Sequence, residues 1–216
     1  SGTGTTTFSG GGTNSVLNNV SVGTGTTLNI NSTISVTGSF TNTTTGIISY
    51  TANSPVVTVS GASVGEGSGN ITFYRLQKAG AGTTTFSGTG TNTVNDTLDA
   101  TAGTFTLSNT ITVTRDVSAS SAATLNQNES LAINGGDLLT SGTGVVNTTA
   151  GTGTVTIAGT GNIGGGGTVT VYNLTLNGTQ TLASATSANN DVSVSAGATL
   201  ALNNQNLTVG GGDLTT

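Results

Sequence analysis

Residues 191–214, DVSVSAGATLALNNQNLTVGGGDL, repeat a stretch that occurs earlier in the chain. Residues 116–138 read DVSASSAATLNQNESLAINGGDL and match at an offset of 75, which becomes 76 after a one-residue slip. A slip between matched blocks is typical of an insertion in a loop between strands. Related versions lie at residues 19–40 and, more loosely, at residues 96–117. Such self-similarity predicts a solenoid or array rather than a closed globule.

Short runs along the chain alternate apolar residues with Ser, Thr and Asn, for example at Val20 and Val22 and at Ile111 and Val113. A period of two over three to five residues indicates a β-strand with one buried face, and the intervening Gly, Asn and Ser indicate turns. No stretch has apolar residues at helical spacing. The sequence therefore predicts an all-β chain.

The spacing of the inward positions predicts the coil. Phe105 and Leu125 are separated by 20 residues, with Ile111 and Val117 between them, and other inward positions repeat at the same interval. Three short strands per circuit predict a three-sided β-solenoid with about 20 residues per coil. We interpret residues 1–216 as one continuous segment of a longer repetitive protein. About ten coils would form a rod roughly 50 Å long, since neighbouring strands lie about 4.8 Å apart.

A second repeated cassette interrupts this rhythm. Residues 67–86, GSGNITFYRLQKAGAGTTTF, match residues 165–182, GGGTVTVYNLTLNGTQTL, with Tyr74 corresponding to Tyr172 and Leu76 to Leu174 at an offset of 98. A longer period is therefore superimposed on the coil period.

The composition excludes several functional classes. The chain has no Cys and no His, so disulfides, thiolate or histidine metal sites, histidine acid–base catalysis and Ser-His-Asp triads are absent. Three basic residues against eight acidic ones give a net charge of −5, which disfavours nucleic acid and anionic membrane surfaces as partners. No apolar run approaches the roughly 20 residues that span a bilayer. We expect no catalytic residue, cofactor, metal or membrane insertion.

Two groups of acidic residues are candidate sites. The GGD motifs at residues 135–137 and 211–213 suggest calcium, but the tandem GGxGxDxUx pattern is missing, and a solvated turn accounts for them. Asp96 with Asp99, and Arg115 beside Asp116, form the only ionic clusters in the sequence. Two carboxylates can hydrolyse a glycoside, but exposed charges that discourage lateral sheet pairing are the better explanation of these residues.

Threonine triplets of the form T-x-T could bind ice if they formed a flat array. They are irregularly spaced, so β-propensity is the better explanation. The triplets lie at residues 5–7, 83–85, 112–114, 154–156, 168–170 and 179–181.

The remaining candidates have simple structural explanations. We expect Tyr50, Tyr74 and Tyr172 to cap coils with their rings and keep their hydroxyl groups in water. Lys78, the only lysine, could form an isopeptide crosslink, but no catalytic acid can be assigned to it. Asn-x-Ser/Thr triplets match the glycosylation pattern largely by chance in a chain this rich in Asn and Thr; examples begin at Asn31, Asn42, Asn70 and Asn173.

The order of the motifs resembles that of a known group of proteins. A Gly-rich turn precedes TFYRL or TVYNLTL, and TTTFSG, a VSVxxGxTLxL strand pair and LTVGG complete the set. This set resembles the adhesin passengers and filamentous-haemagglutinin-like β-helices of bacterial surface and secretion systems. The resemblance implies a right-handed β-helix that is secreted or displayed on the cell surface, and it brings no catalytic residue.

From these features we expect a structural and adhesive segment, either a stalk or a self-associating filament. Its partners would be further copies, end to end, and a surface glycan or host receptor. The alternatives are a carbohydrate-active β-helix enzyme that uses Asp96 and Asp99, and an ice-binding solenoid.

Overall fold

The computed structural model describes residues 3–43 and 45–216, apart from the side chain of Glu66. These residues contain 31 β-strands, and no helix that could span a membrane occurs among them. The first ten strands are β1 (Gly4–Phe8), β2 (Asn14–Val16), β3 (Val20–Val22), β4 (Thr26–Ile30), β5 (Ile34–Val36), β6 (Phe40–Asn42), β7 (Ile47–Ser49), β8 (Val56–Val59), β9 (Ser63–Glu66) and β10 (Ile71–Phe73). The next ten are β11 (Arg75–Lys78), β12 (Thr83–Phe86), β13 (Asn92–Val94), β14 (Leu98–Ala100), β15 (Thr104–Leu107), β16 (Ile111–Val113), β17 (Val117–Ala119), β18 (Thr124–Gln127), β19 (Leu131–Ile133) and β20 (Leu138–Thr140). The last are β21 (Val145–Asn147), β22 (Thr154–Ile157), β23 (Gly161–Gly165), β24 (Thr168–Val171), β25 (Asn173–Leu176), β26 (Thr179–Leu182), β27 (Thr186–Ala188), β28 (Val192–Val194), β29 (Thr199–Ala201), β30 (Leu207–Val209) and β31 (Leu214–Thr215).

Every third strand belongs to the same parallel sheet, so the chain coils around three sides. Sheet I holds 11 strands, from β1 to β31; sheet II holds 10, from β2 to β29; and sheet III holds 10, from β3 to β30. Phe105 lies beside Leu125 and Val20 beside Phe40, which confirms the predicted 20-residue circuit. The predicted three-sided, all-β solenoid is confirmed, and the right-handed coil stays a prediction.

The coils differ in length, and the corners absorb the difference. Val169 lies beside Thr186, only 17 residues away, whereas Leu138 lies beside Ile163 at a separation of 25. Strands β20, β24 and β27 keep the alternation of buried and partly exposed residues, whereas β23 breaks it, because Ile163 and Gly164 are both buried. The register between β6 and β9 also shifts, between Phe40 and Thr41. Most of the difference in coil length is therefore absorbed in the corners, and the remainder appears as local irregularities within strands.

The core is a narrow column of inward-pointing Val, Ile, Leu and Phe side chains. Most strands are only three or four residues long, so each contributes one or two inward residues. Phe40 and Phe73 meet edge to face with ring centroids 5.7 Å apart. The inward positions predicted from Phe105 to Leu138 are all buried. Burial of an aliphatic side chain is worth about 1.5–3 kcal/mol, so the column is the main source of stability.

The sequence repeats are out of phase with the coil. The cassette at residues 116–138 begins on β17 in sheet II, its copy at residues 191–214 begins on β28 in sheet I, and the related stretch at residues 19–40 begins on β3 in sheet III. The second cassette is displaced in the same way, since Leu76 lies in sheet II and Leu174 in sheet I. One strand-and-turn unit thus fits all three sides of the solenoid.

Asn and Asp side chains at the corners fasten each coil to the next. In each case Oδ1 accepts a hydrogen bond from a backbone N–H one coil further along the chain, at 2.6–3.2 Å. A backbone N–H that bonds to no strand is costly if it stays unpaired. The carboxylate or amide oxygen supplies the missing acceptor. The residues that do this are Asn19, Asn31, Asn70, Asn128, Asp137, Asn173 and Asp191.

Glycine makes room for several of these corner bonds. A Cβ on Gly161 would lie 2.4 Å from Asp137 Oδ1, and one on Gly212 would lie 2.0 Å from Asp191 Oδ1. Both glycines directly precede the residue whose N–H donates. The pairing of Asx in one coil with Gly in the next explains part of the glycine content.

We predict that Gly161→Ala destabilises the solenoid by about 1–3 kcal/mol, because the new methyl group overlaps the Asp137 carboxylate and the Gly136 backbone. Gly82→Ala is the matched control, since a Cβ there meets nothing within 4 Å. We expect the control to change the free energy of unfolding by less than about 1 kcal/mol, in the stabilising direction. Urea unfolding monitored by circular dichroism measures both. Equal effects would show that the close approach of the Asp137 coil does not constrain this position.

Candidate functional site

The charged residues of the middle coils meet at the corner between sheets I and II. Arg75 opens β11, Asp96 and Thr97 lie between β13 and β14, and Arg115 with Asp116 lies between β16 and β17. These three segments stack because β11, β14 and β17 are neighbours in sheet II. We call Arg75, Asp96, Asp99, Arg115 and Asp116 the ionic corner.

Asp99 points outward from the middle of β14 and is held from three sides. Its Oδ2 lies 3.3 Å from Arg75 Nη2 and accepts from Thr97 Oγ1 at 3.1 Å. Its Oδ1 accepts from Ser118 Oγ, one coil further on, at 2.8 Å. Arg75 Nε also donates to Thr97 Oγ1 at 2.8 Å, so one guanidinium organises the carboxylate and the hydroxyl.

Asp96 lies between the two arginines. Its Oδ1 is 2.7 Å from Arg115 Nη1, and its Oδ2 is 3.5 Å from Arg75 Nε. Asp96 is only 8% exposed. The Arg115 guanidinium also contacts Asp116, with Nε 3.0 Å from Oδ2. The hydrogen bond to Asp116, and then the charge of Asp96, raise the pKa of Arg115 above its ordinary value.

The structure thus brings the expected pair Asp96 and Asp99 together, and it adds a partner that the sequence did not indicate. The sequence does not identify Arg75 as a partner of Asp96 and Asp99, because these residues lie one coil away and the coil length varies. Each of the five charged side chains has an ionic partner inside the ionic corner. This arrangement is typical of a structural ion-pair network.

Tyr50 and Tyr74 stand beside the ionic corner. Their rings meet edge to face with centroids 5.5 Å apart, and Asn95 Nδ2 donates to the Tyr50 hydroxyl at 2.7 Å. Tyr74 follows a strand of sheet I, whereas Tyr172 follows a strand of sheet III. The two matching tyrosines of the sequence therefore lie at different corners, as the displaced repeats require.

The GGD motifs lie at two different corners. Asp137 Oδ1 accepts the N–H of Asn162, and the N–H of Asp213 donates to Asp191 Oδ1. Within residues 3–43 and 45–216, no group of three or more acidic residues could hold a metal ion. The two motifs have the geometry of corner turns.

The threonine triplets are distributed over all three sheets. One of them, at residues 83–85, lies on sheet III, where Thr83 and Thr85 pair with Thr104 and Thr106 in the next coil. Further along the same face, Asn and Val occupy outward positions at Asn126, Val145 and Asn147. The continuous two-column threonine array that the ice-binding alternative requires is therefore interrupted on this face.

Lys78 points into the core instead of into solvent. Its side chain is fully buried, between Val59 and Ala100 of the neighbouring strands, and its Nζ donates to the carbonyl oxygens of Ala79 at 2.5 Å and Gly80 at 2.6 Å. Among the described residues the amine has no ion pair. Burial lowers the pKa of Lys78 below its ordinary value. The amine caps a corner in the way that the buried amides of Asn42, Asn92 and Gln180 do.

Two of the depressions in the described part of the surface lie next to features of interest. One, of about 450 Å³, lies on sheet II and is bordered by Ser118, Leu139, Asn162 and the side-chain-free Gly164. It adjoins the ionic corner through the bond from Ser118 to Asp99. The other, of about 490 Å³, lies at the C-terminal end and is lined mainly by apolar residues of the last coil.

No protein-family profile matches the chain, and no curated protein or solved structure is significantly similar to it. The resemblance to bacterial surface adhesins therefore stays an expectation from the sequence motifs. What the structure shows is a β-solenoid of repeated units.

We predict that Asp96→Asn lowers the free energy of unfolding by about 1–3 kcal/mol, because it leaves two guanidinium groups next to a neutral amide in a buried place. Glu129→Gln is the control, since Glu129 is exposed. Chemical unfolding at low and high salt measures both variants. An Asp96→Asn protein as stable as the control would show that the ionic corner contributes nothing to the fold.

We predict that the free energy of unfolding rises from neutral to alkaline pH because of Lys78. Its folded-state pKa is lowered, so between that value and the ordinary 10.5 the unfolded chain binds more protons than the native one. The free energy of unfolding therefore rises with pH in this window. Lys78→Met should abolish the rise attributable to this group, as measured by urea unfolding between pH 7 and about 10.5. A wild-type curve parallel to that of the variant would contradict the prediction.

Proposed function

We propose that the chain is an extracellular structural and adhesive β-solenoid, which forms a stalk or a filament at the bacterial surface. The observation that carries this proposal is the continuity of the three parallel sheets, which pass from one end of the described chain to the other without a break. A rod of this kind extends a surface over distance and resists bending. These are mechanical properties.

The outer face of sheet I supports the adhesive part of the proposal. Outward positions of successive coils carry one small polar residue each, in register, with Ala132 as the exception. The column runs through Thr72, Thr93, Thr112, Ala132, Thr156, Thr175, Ser193 and Thr215. Many similar weak contacts on one rod raise avidity without a deep pocket. A glycan or receptor with its own repeating units is the kind of ligand that such a face fits.

The distribution of charge supports a non-catalytic role. The ionic corner pairs its charges internally, and Asp137 and Asp191 use Oδ1 in corner bonds. The carbohydrate-active enzyme is the second candidate, because Asp99 is joined through Ser118 to the depression on sheet II. It needs Asp96 and Asp99 to leave their ion pairs for a substrate.

We expect electron microscopy of the purified chain to show straight rods with a layer line near 4.8 Å along the axis, since that is the spacing of stacked parallel strands. Rods longer than a single chain would support the filament form, and single-chain rods that bind glycan arrays would support the stalk form. Compact particles that hydrolyse polysaccharide, with the activity lost in Asp96→Asn and Asp99→Asn, would overturn the structural proposal in favour of the enzyme.

A further inference from the structure

Aromatic side chains that reach the surface are concentrated at one place on the rod. Tyr50 and Tyr74 are both partly exposed and form an edge-to-face pair, with ring centroids 5.5 Å apart and ring planes at 82°. Two of the chain's three tyrosines therefore make one aromatic surface beside the ionic corner. The phenylalanines add little to it, because four of the five are buried in the core: Phe40, Phe73, Phe86 and Phe105.

The accessible basic side chains lie at the same place. The chain has three basic residues, and one of them, Lys78, is fully buried. The side chains of the other two, Arg75 and Arg115, are 40% and 61% exposed. Every exposed basic side chain therefore belongs to the ionic corner.

Four residues form a row along the rod at this corner. Tyr50 follows β7, Tyr74 follows β10, Asn95 follows β13, and Arg115 is the second residue after β16. These strands are successive neighbours in sheet I, so the row takes one residue from each coil, at a spacing of about 4.8 Å. Asn95 Nδ2 donates to the Tyr50 hydroxyl at 2.7 Å. The pKa of Arg115, which the hydrogen bond to Asp116 raises most, is raised further by Tyr74, so these two side chains lie within electrostatic range of each other. We call the four residues the tyrosine row.

The tyrosine row keeps hydrogen-bonding groups available for a ligand. Arg115 uses Nε for Asp116 and Nη1 for Asp96, and a guanidinium carries further N–H donors in the same plane. The Tyr50 hydroxyl accepts from Asn95 and keeps its own O–H to donate. Asp96 is buried between the two arginines and fixes their orientation. The row therefore presents oriented donors next to aromatic rings.

Aromatic rings beside planar hydrogen-bonding groups suit the chemistry of a sugar. A pyranose has a face of C–H groups, which packs on the negative face of an aromatic ring, and a rim of hydroxyl groups, which pairs with guanidinium and amide groups. In an edge-to-face pair, each ring keeps at least one face that the other ring does not cover. The length of one hexose unit in an extended chain is close to the spacing between coils. Successive sugars along the rod would therefore meet successive residues of the row.

The charge of the corner favours an uncharged sugar. Its two arginines stand against three aspartates, so the ionic corner as a whole has a net negative charge. The chain also has a net charge of −5. An acidic sugar would be repelled by both, whereas an uncharged hexose is not.

We propose that the tyrosine row is a binding site for an uncharged hexose oligosaccharide that lies along the axis of the rod. This proposal rests on the adhesive function proposed above and names a site and a ligand class for it. The row binds a short ligand by itself, whereas the outward column of sheet I needs a long ligand, because its contacts are weak and repeated. Short oligosaccharides therefore test the tyrosine row alone.

Two matched tyrosine variants test the aromatic part of the site. Tyr172 has the same place in the sequence repeat as Tyr74 and is also partly exposed, but both arginines of the chain lie away from it in the ionic corner. Isothermal titration calorimetry with short gluco-, galacto-, manno- and N-acetylglucosamine oligosaccharides measures binding to the wild-type chain and to both variants. We expect Tyr74→Leu to weaken binding at least about tenfold and Tyr172→Leu to leave it unchanged, because aromatic residues dominate the binding energy of a site that they line.

A third variant tests the polar part of the site without removing the positive charge. Arg115→Lys keeps a cation beside Asp96 but loses the planar set of donors. We expect this variant to weaken binding at least about tenfold, since arginine is often a dominant binding residue, while urea unfolding stays close to that of the wild type. If Tyr74→Leu does not fold, Arg115→Lys decides the outcome. The wild-type affinity should change less than about twofold between low and high salt, because an uncharged ligand is not screened.

The outcomes separate this site from the function on which it rests. Equal weakening by Tyr74→Leu and Tyr172→Leu, or unchanged binding in both Tyr74→Leu and Arg115→Lys, would overturn the site. Tighter binding of an oligogalacturonate, weakened by salt, would overturn the uncharged ligand. A wild-type chain that binds polysaccharides on glycan arrays but no short oligosaccharide would overturn the site and leave adhesion to sheet I. Binding to neither would overturn the site and the adhesive function together, and electron microscopy would then judge the structural function alone.

Discussion

Parallel stacking of one coil on the next governs this molecule. Each strand is too short to be stable alone, and its backbone bonds run to the coils before and after it. An inward residue must therefore fit the residue about 20 positions away, whereas its sequence neighbours matter less. The corner bonds of Asn and Asp follow the same rule, since their partners also lie one coil further on. Coils can vary from 17 to 25 residues because most of the change falls in the corners.

The same constraint explains the low charge of the chain. Residues stacked in register lie about 5 Å apart, where two like charges repel by about 0.8 kcal/mol even in water. A column of identical charged residues would repeat this cost in every coil, whereas threonine, serine and asparagine can be stacked without it. The ionic corner avoids the cost by alternation, because the arginine of one coil faces the aspartate of the next, as Arg75, Asp96 and Arg115 do.

Much of the fold could be predicted from the sequence, because the alternation of apolar and polar residues indicates which side chains point into the core. The pairs Phe105 with Leu125 and Val20 with Phe40 required only the coil period. The sites were harder to predict, because corner residues meet across coils of unequal length. Asp96 and Asp99 were recognised as neighbours in sequence, but Arg75 was not recognised as their common partner. Lys78 occupies an inward position that the alternation assigns to an apolar residue, and only the structure shows its amine bonding to corner carbonyls.

The displacement of the repeats by one side of the solenoid has a consequence for evolution. If a unit were adapted to one sheet, duplication in steps other than whole coils would place it wrongly and destabilise the core. Here the copies at residues 19–40, 116–138 and 191–214 begin on three different sheets and still bury their inward residues, apart from those near the ends. A strand of this type can therefore pack on any of the three sides. Duplication of a unit thus preserves the core even when the step is not a whole number of coils.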